Sequence, residues 1–252
     1  MRRHRGWLSG MLVLVISAGA WAQGVGGDLG KQQEDPVKAA IERFTKEYAA
    51  GQKAKDESMR TTALDIFNGL CGEQKVVDVI GKVLNTGSET VMVKTKAAML
   101  LGQSGNMKVA GVLEKAFKAN EKNDSAYEIV RQLGGIQDKS TVKILEGIIR
   151  PRINRFDDER ACQIARSGID AMGRLRFVEA VESLVKLFEP VNSGRPAPDA
   201  TVPPEDQPKE SQRSQSEGTL IAALSSLTGE QHQKFEDWKG WWSKNKKTFK
   251  FQ

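Results

Sequence analysis

The chain has 252 residues, with 38 Lys and Arg against 32 Asp and Glu, and a formal charge of +6. Two cysteines, two histidines and no Gly-rich phosphate loop after a strand leave none of the usual sets for nucleophilic, metal or phosphate chemistry. The surplus charge is too small to argue for nucleic acid.

The first 22 residues combine a basic start (Arg2, Arg3, Arg5), an apolar run from Trp7 to Ala18 and the small-x-small triplet Ala20-Trp21-Ala22. That pattern predicts a cleaved secretory signal peptide over 1–22 and an exported protein, periplasmic or secreted. The apolar run is shorter than the roughly 20 residues of a spanning helix, so no stable membrane insertion is expected after cleavage. Cleavage takes three arginines and no acid, so the formal charge falls from +6 to +3. His232 is then the only histidine, and tryptophan remains at 238, 241 and 242 alone.

Residues 23–34 are rich in Gly and Gln and read as a flexible leader. Pro36 stands at a first-turn position. Val37, Ala40, Ile41, Phe44 and Tyr48 then mark an amphipathic helix that would cap the N-terminal end of the fold.

The centre of the chain repeats. Aligned on Gly69, Gly102, Gly134 and Gly173, spaced by 33, 32 and 39 residues, the positions eight, eleven and fifteen later are apolar in all four copies. They are Val77, Ile80 and Leu84; Ala110, Leu113 and Phe117; Val142, Leu145 and Ile149; and Val181, Leu184 and Phe188. These offsets share one face of a helix. Ahead of each glycine another helical pattern runs, as in Val93, Ala97, Ala98 and Leu101, or Met59, Ala63, Leu64 and Phe67. Each unit is thus helix, Gly-bearing turn, helix, and neither helix can bury its apolar face unless the units stack.

The run Val93-Lys94-x-x-Ala97-Ala98-x-x-Leu101-Gly102, followed by an apolar-periodic second helix, resembles the HEAT repeat in its short bacterial form, related to the phycobilisome-lyase-like repeats. The resemblance covers residues 56 to 189. Repeat three departs from it at Arg131 and Gln132, and repeat four at Gly168. It implies an all-α fold, an α-α superhelix of about five helical hairpins behind an N-terminal capping helix. The solenoid would span 35–252, with repeats near 56–84, 89–119, 123–149, 157–189 and 212–246. It implies a protein that holds other macromolecules, with no cofactor, and no chemistry of its own.

Between repeats three and four the chain inserts RPRINRFDDER, carrying Arg150, Arg152 and Arg155. Asp157, Asp158 and Glu159 there complement the positive end of the next helix. Residues 190–211 hold six of the eight prolines and are expected to be a non-helical, mobile loop whose deletion over 192–210 leaves the melting temperature little changed. Cys71 and Cys162 fall about three repeats apart, on the order of 25 Å at roughly 8 to 10 Å per packed helix, beyond the reach of a disulfide. Both are expected to be reduced and partly buried.

In such a stack the second helices line the concave side. Their outward positions, six and thirteen after the glycine, put Lys75, Lys82, Lys108 and Lys115 on one surface, with Lys186 in repeat four. This suggests a groove for an acidic protein or polysaccharide, against the plainer reading of a solvated helix face with interspersed acids. On the last helix, Phe235, Trp238, Trp241 and Trp242 fall within an arc of about 120° at 100° per residue, the stripe expected of a docked end cap. A glycan or surface platform made by these indoles is the alternative there. An envelope enzyme, or an enzyme accessory with a site in the groove, is the alternative for the whole chain; the leading expectation is a noncatalytic scaffold for a protein partner.

Overall fold

Among the described residues, 35–193 and 202–251 of this computed structural model, the chain is all helical, without strands. The expected signal peptide and leader lie outside them. The helices are α1 (Pro36–Ala54), α2 (Glu57–Leu64), α3 (Gln74–Asn85), α4 (Val91–Gly102), α5 (Val109–Asn120) and α6 (Ser125–Leu133). There follow α7 (Lys139–Ile149), α8 (Glu159–Met172), α9 (Val178–Asn192), α10 (Gln207–Thr228) and α11 (Phe235–Asn245). None is long and apolar enough to cross a membrane.

Many of these helices start on a side-chain oxygen that takes an otherwise unpaired backbone N–H. Asp35 accepts from Val37 N at 3.0 Å, Asp56 from Met59 N at 2.9 Å and Asp158 from Ala161 N at 2.9 Å. Pro36 opens α1, where its missing donor costs nothing.

Packing follows chain order in two rows. In one, α1 touches α2, α2 touches α4, and α4, α6, α8 and α10 follow in turn; in the other, α3, α5, α7, α9 and α11 do the same. The rows meet where α3 packs on α4, α5 on α6, α7 on α8 and α9 on α10. All twelve apolar positions of the repeat columns are buried there. Phe44 and Tyr48 of α1 close one end, with the Phe44 ring centroid 4.7 Å from that of Phe67.

The repeat glycines serve spacing more than turning. Gly69 alone of the four has a positive φ, +80°. At Gly134 a β-carbon would lie 2.6 Å from the Ala171 carbonyl oxygen of the next unit, and at Gly135 it would overlap the Gly102 carbonyl of the previous one. Consecutive turns therefore touch backbone to backbone.

Three expectations are corrected. Met59 aligns in sequence with buried Val93, yet it is 43% exposed, while Arg60 turns inward instead. The reason is local: Gly51 of α1 lets the Arg60 stem approach, and the helix tightens into a 3-10 turn at Asp65–Phe67. The Pro-rich stretch is helical at both ends. Pro190 lies in the last turn of α9, where buried Val191 and the bond from Ser193 N to Glu189 O at 2.9 Å hold the helix past the proline. Pro208 lies in the first turn of α10, a tolerated place. The fifth hairpin thus begins at Gln207, ahead of the expected 212, and a deletion over 192–210 would cut into both helices. Residues 194–201 lie outside the described part.

Gly135→Ala should lower unfolding free energy by about 1–3 kcal/mol through overpacking. Gly147→Ala, at a helical site with open space around it, should be neutral or stabilising by up to about 1 kcal/mol. Urea melts of the two variants test the contrast; equal effects would mean that the inter-turn contact is not what requires glycine.

Candidate functional site

The outward stripes of α3 and α5 match. Lys75, Val79 and Lys82 on α3 face the same way as Lys108, Val112 and Lys115 on the α5 side, at spacings of three, four and seven residues. All four lysines are exposed, and Val79 and Val112 are half-buried between them. Seven residues advance a helix by about 10.5 Å, and neighbouring axes lie about 8–10 Å apart, so the ammonium groups rise from the corners of a rough square. Gly81 brings α3 close to Val112, and Gly111 has open space in front of it.

The pairing of these charges separates them from the other candidates. Among the described residues Lys82, Lys108 and Lys115 make no ion pair, and Lys75 has only a loose contact with Asp35 at 3.8 Å. Lys186 instead pairs with Glu182 at 2.6 Å, on a groove of about 450 Å³ between α7 and α9. Lys139 reaches Glu179 there at 2.7 Å, and Ser183 Oγ donates to Glu146 at 2.8 Å. Lys143 on the same groove makes no ion pair among the described residues, so that half of the row is paired in part.

The three insertion arginines hold their own chain together. Arg150 pairs with Glu146 at 3.3 Å and Arg155 with Asp158 at 2.8 Å. Arg152 pairs with Glu121, donates to Ile148 O at 2.6 Å and lies 5.3 Å over the Phe117 ring. Arg213 of α10 reaches both stretches: it stacks 4.7 Å over Phe156 and donates to Ser193 O at 2.9 Å.

At the far end, Phe235, Trp238 and Trp242 are buried, Phe235 lies 5.6 Å from Phe188 of α9, and Trp238 Nε1 donates to His232 O at 3.0 Å. These three form the cap. Trp241, at the margin of the aromatic arc, is only half-buried. Cys71 and Cys162 are buried free thiols, and burial raises both thiol pKa values.

A buried polar network was not foreseen. Tyr48 donates to Glu89, which also accepts from Arg60 Nε at 3.1 Å and from Thr90 N at 2.9 Å. Beside it Lys94, 1% exposed, donates to Asn120 Oδ1 at 2.7 Å. The Asn120 amide in turn binds Leu84 O at 2.9 Å and Ala116 O at 2.8 Å, near the C-terminal ends of α3 and α5, where a helix favours a cation. Burial pulls the Lys94 pKa down, and the Glu89 charge partly opposes this. Burial and then Glu89 push the Tyr48 pKa up. The signal for Lys94 was in the sequence: it stands three and four residues before Ala97 and Ala98, on the stripe that goes inside.

Comparison with known proteins finds neither a family model that matches this chain nor a similar curated protein. Among the described residues, no cluster of three His, Cys, Asp or Glu is arranged to hold a metal ion.

Asn120→Ala strands the buried ammonium and should cost about 2–3 kcal/mol, whereas Lys94→Met should cost about 1 kcal/mol or less. Because the folded pKa of Lys94 lies below its unfolded value, the unfolded chain binds more protons between the two. Its contribution to stability therefore rises with pH up to about 10.4. Subtracting the urea-melt stability of Lys94→Met from that of wild type across pH 7–10.5 should show this rise; a flat difference would contradict it.

Proposed function

We propose that the chain is a noncatalytic scaffold, a HEAT-type α-α superhelix, that binds an acidic segment of a protein partner across α3 and α5. The observation that carries this is the contrast along one row of helices. Among the described residues Lys82, Lys108 and Lys115 make no ion pair and Lys75 has only a loose one, while Lys139 of α7 and Lys186 of α9 are paired with acids.

Unpaired lysines on rigid helices are prepared for carboxylates, since little internal pairing is lost when a partner arrives. The half-buried valines between them offer a small apolar centre within a polar rim. A partner helix with acids seven residues apart repeats the roughly 10.5 Å spacing of each lysine stripe. Charge of this kind governs orientation and association rate more than final affinity, so binding should weaken with salt. The signal peptide read from residues 1–22 would place the encounter outside the cytoplasm.

A photo-crosslinking residue at Gly111, in open space beside the lysines, tests the reading in the producing cell. It should trap a discrete protein, and Lys82→Glu/Lys115→Glu should cut the yield by about tenfold or more while leaving the melting curve unchanged. An undiminished crosslink in the charge-reversed variant would refute the acidic-partner reading.

A further inference from the structure

Among the described residues the large apolar side chains left exposed are Met59, Val91, Met92, Met99 and Met107, all within the first two repeats. Four of these are methionines, between 40% and 62% exposed, whereas Met172 in α8 is fully enclosed. We propose that these four thioethers are the oxidant-reactive sites of the chain: a peroxide turns them into sulfoxides, reversibly and without unfolding.

The placement of the four makes their oxidation harmless to the fold. Met92 and Met99 stand seven residues apart, about two turns, on one side of α4. Between them Lys96 reaches Asp65, just past α2, at 2.6 Å. Met59 is on the outer side of α2, which packs on α4, and Met107 lies in the turn ahead of α5. The inward stripes of these helices are filled by other residues, so a sulfoxide oxygen on any of the four meets water and takes no partner from the core. On Met172 the same oxygen would be buried without a donor, at a cost.

The reaction needs only the peroxide. The thioether sulfur attacks one peroxide oxygen, the S–O bond forms as the O–O bond breaks, and the sulfur gives up two electrons. The departing hydroxide takes the proton from the transferred oxygen and leaves as water. Methionine sulfoxide reductases reverse the change.

Thiols ordinarily compete for such oxidants, and they do so as thiolates. Here both are buried: Cys71 Sγ donates to Phe67 O at 3.1 Å and Cys162 Sγ to Arg155 O at 3.3 Å. Burial also raises both thiol pKa values, which keeps the thiolate scarce. Cys71 lines a recess of about 160 Å³ and is the nearest rival. Oxidation would therefore turn one apolar region of the surface polar and leave the lysine charges of α3 and α5 as they were. The inference does not rest on the acidic-partner reading.

The test treats the full chain with hydrogen peroxide, quenches it, alkylates the thiols in denaturant and maps each sulfur by peptide mass spectrometry. Met59, Met92, Met99 and Met107 should gain oxygen at least about tenfold faster than Met172, and before either cysteine. In urea the five methionine rates should converge to within about twofold, and the melting curve of the fourfold-oxidised chain should match that of the untreated one. Modification of Met172, Cys71 or Cys162 as fast as the four overturns the proposal. So does any of the four lagging with Met172, a rate order that persists in urea, or a lost melting transition after oxidation.

Discussion

Each inner helix pair here carries apolar surface on two sides, so a single pair cannot be stable and relies on a neighbour at both flanks. That constraint accounts for most of the architecture. It explains why the twelve repeat-column residues are buried without exception, and why the two ends have large aromatic residues, Phe44 and Tyr48 at one and Phe235, Trp238 and Trp242 at the other. It also fixes where glycine is needed. Helices can approach only as near as their connecting turns allow, and at Gly134 and Gly135 the turns of adjacent units meet at the backbone itself.

The sequence was most legible where a single physical rule acted alone. The second helices face inward at offsets of eight, eleven and fifteen, and periodicity suffices for that. It failed where two demands met in one residue. Met59 fits an apolar column, but the turn tightening after Leu64 and the space left by Gly51 bring Arg60 inside. Lys94 fits the inward stripe by position and the surface by chemistry, and position won because Asn120 supplies a partner 26 residues away. Pro190 has a local preference against the helix, which buried Val191 overrides.

Much of the charge was legible as residue type and illegible as state. Eight basic residues looked alike as candidates for a partner. Whether each is available depends on an acid set beside it by a neighbouring turn or helix, as with Arg152 and Glu121, and no spacing rule reports that. The division among the aromatics was not legible either: Phe235 and Trp241 stand at opposite edges of the arc, and only Phe235 is buried, against Phe188 of α9.

The Lys94 network bears on how the chain comes apart. Its amine is anchored by a residue of α5 that also ties off the end of α3, so three helices from two neighbouring units share one set of bonds. A form in which α4 stayed docked while α5 had left would hold a buried cation with no acceptor, a state that is costly in itself. It follows that fraying does not come to rest between α3 and α5. Stacked units can melt one at a time in principle; here that segment is welded into a single cooperative block.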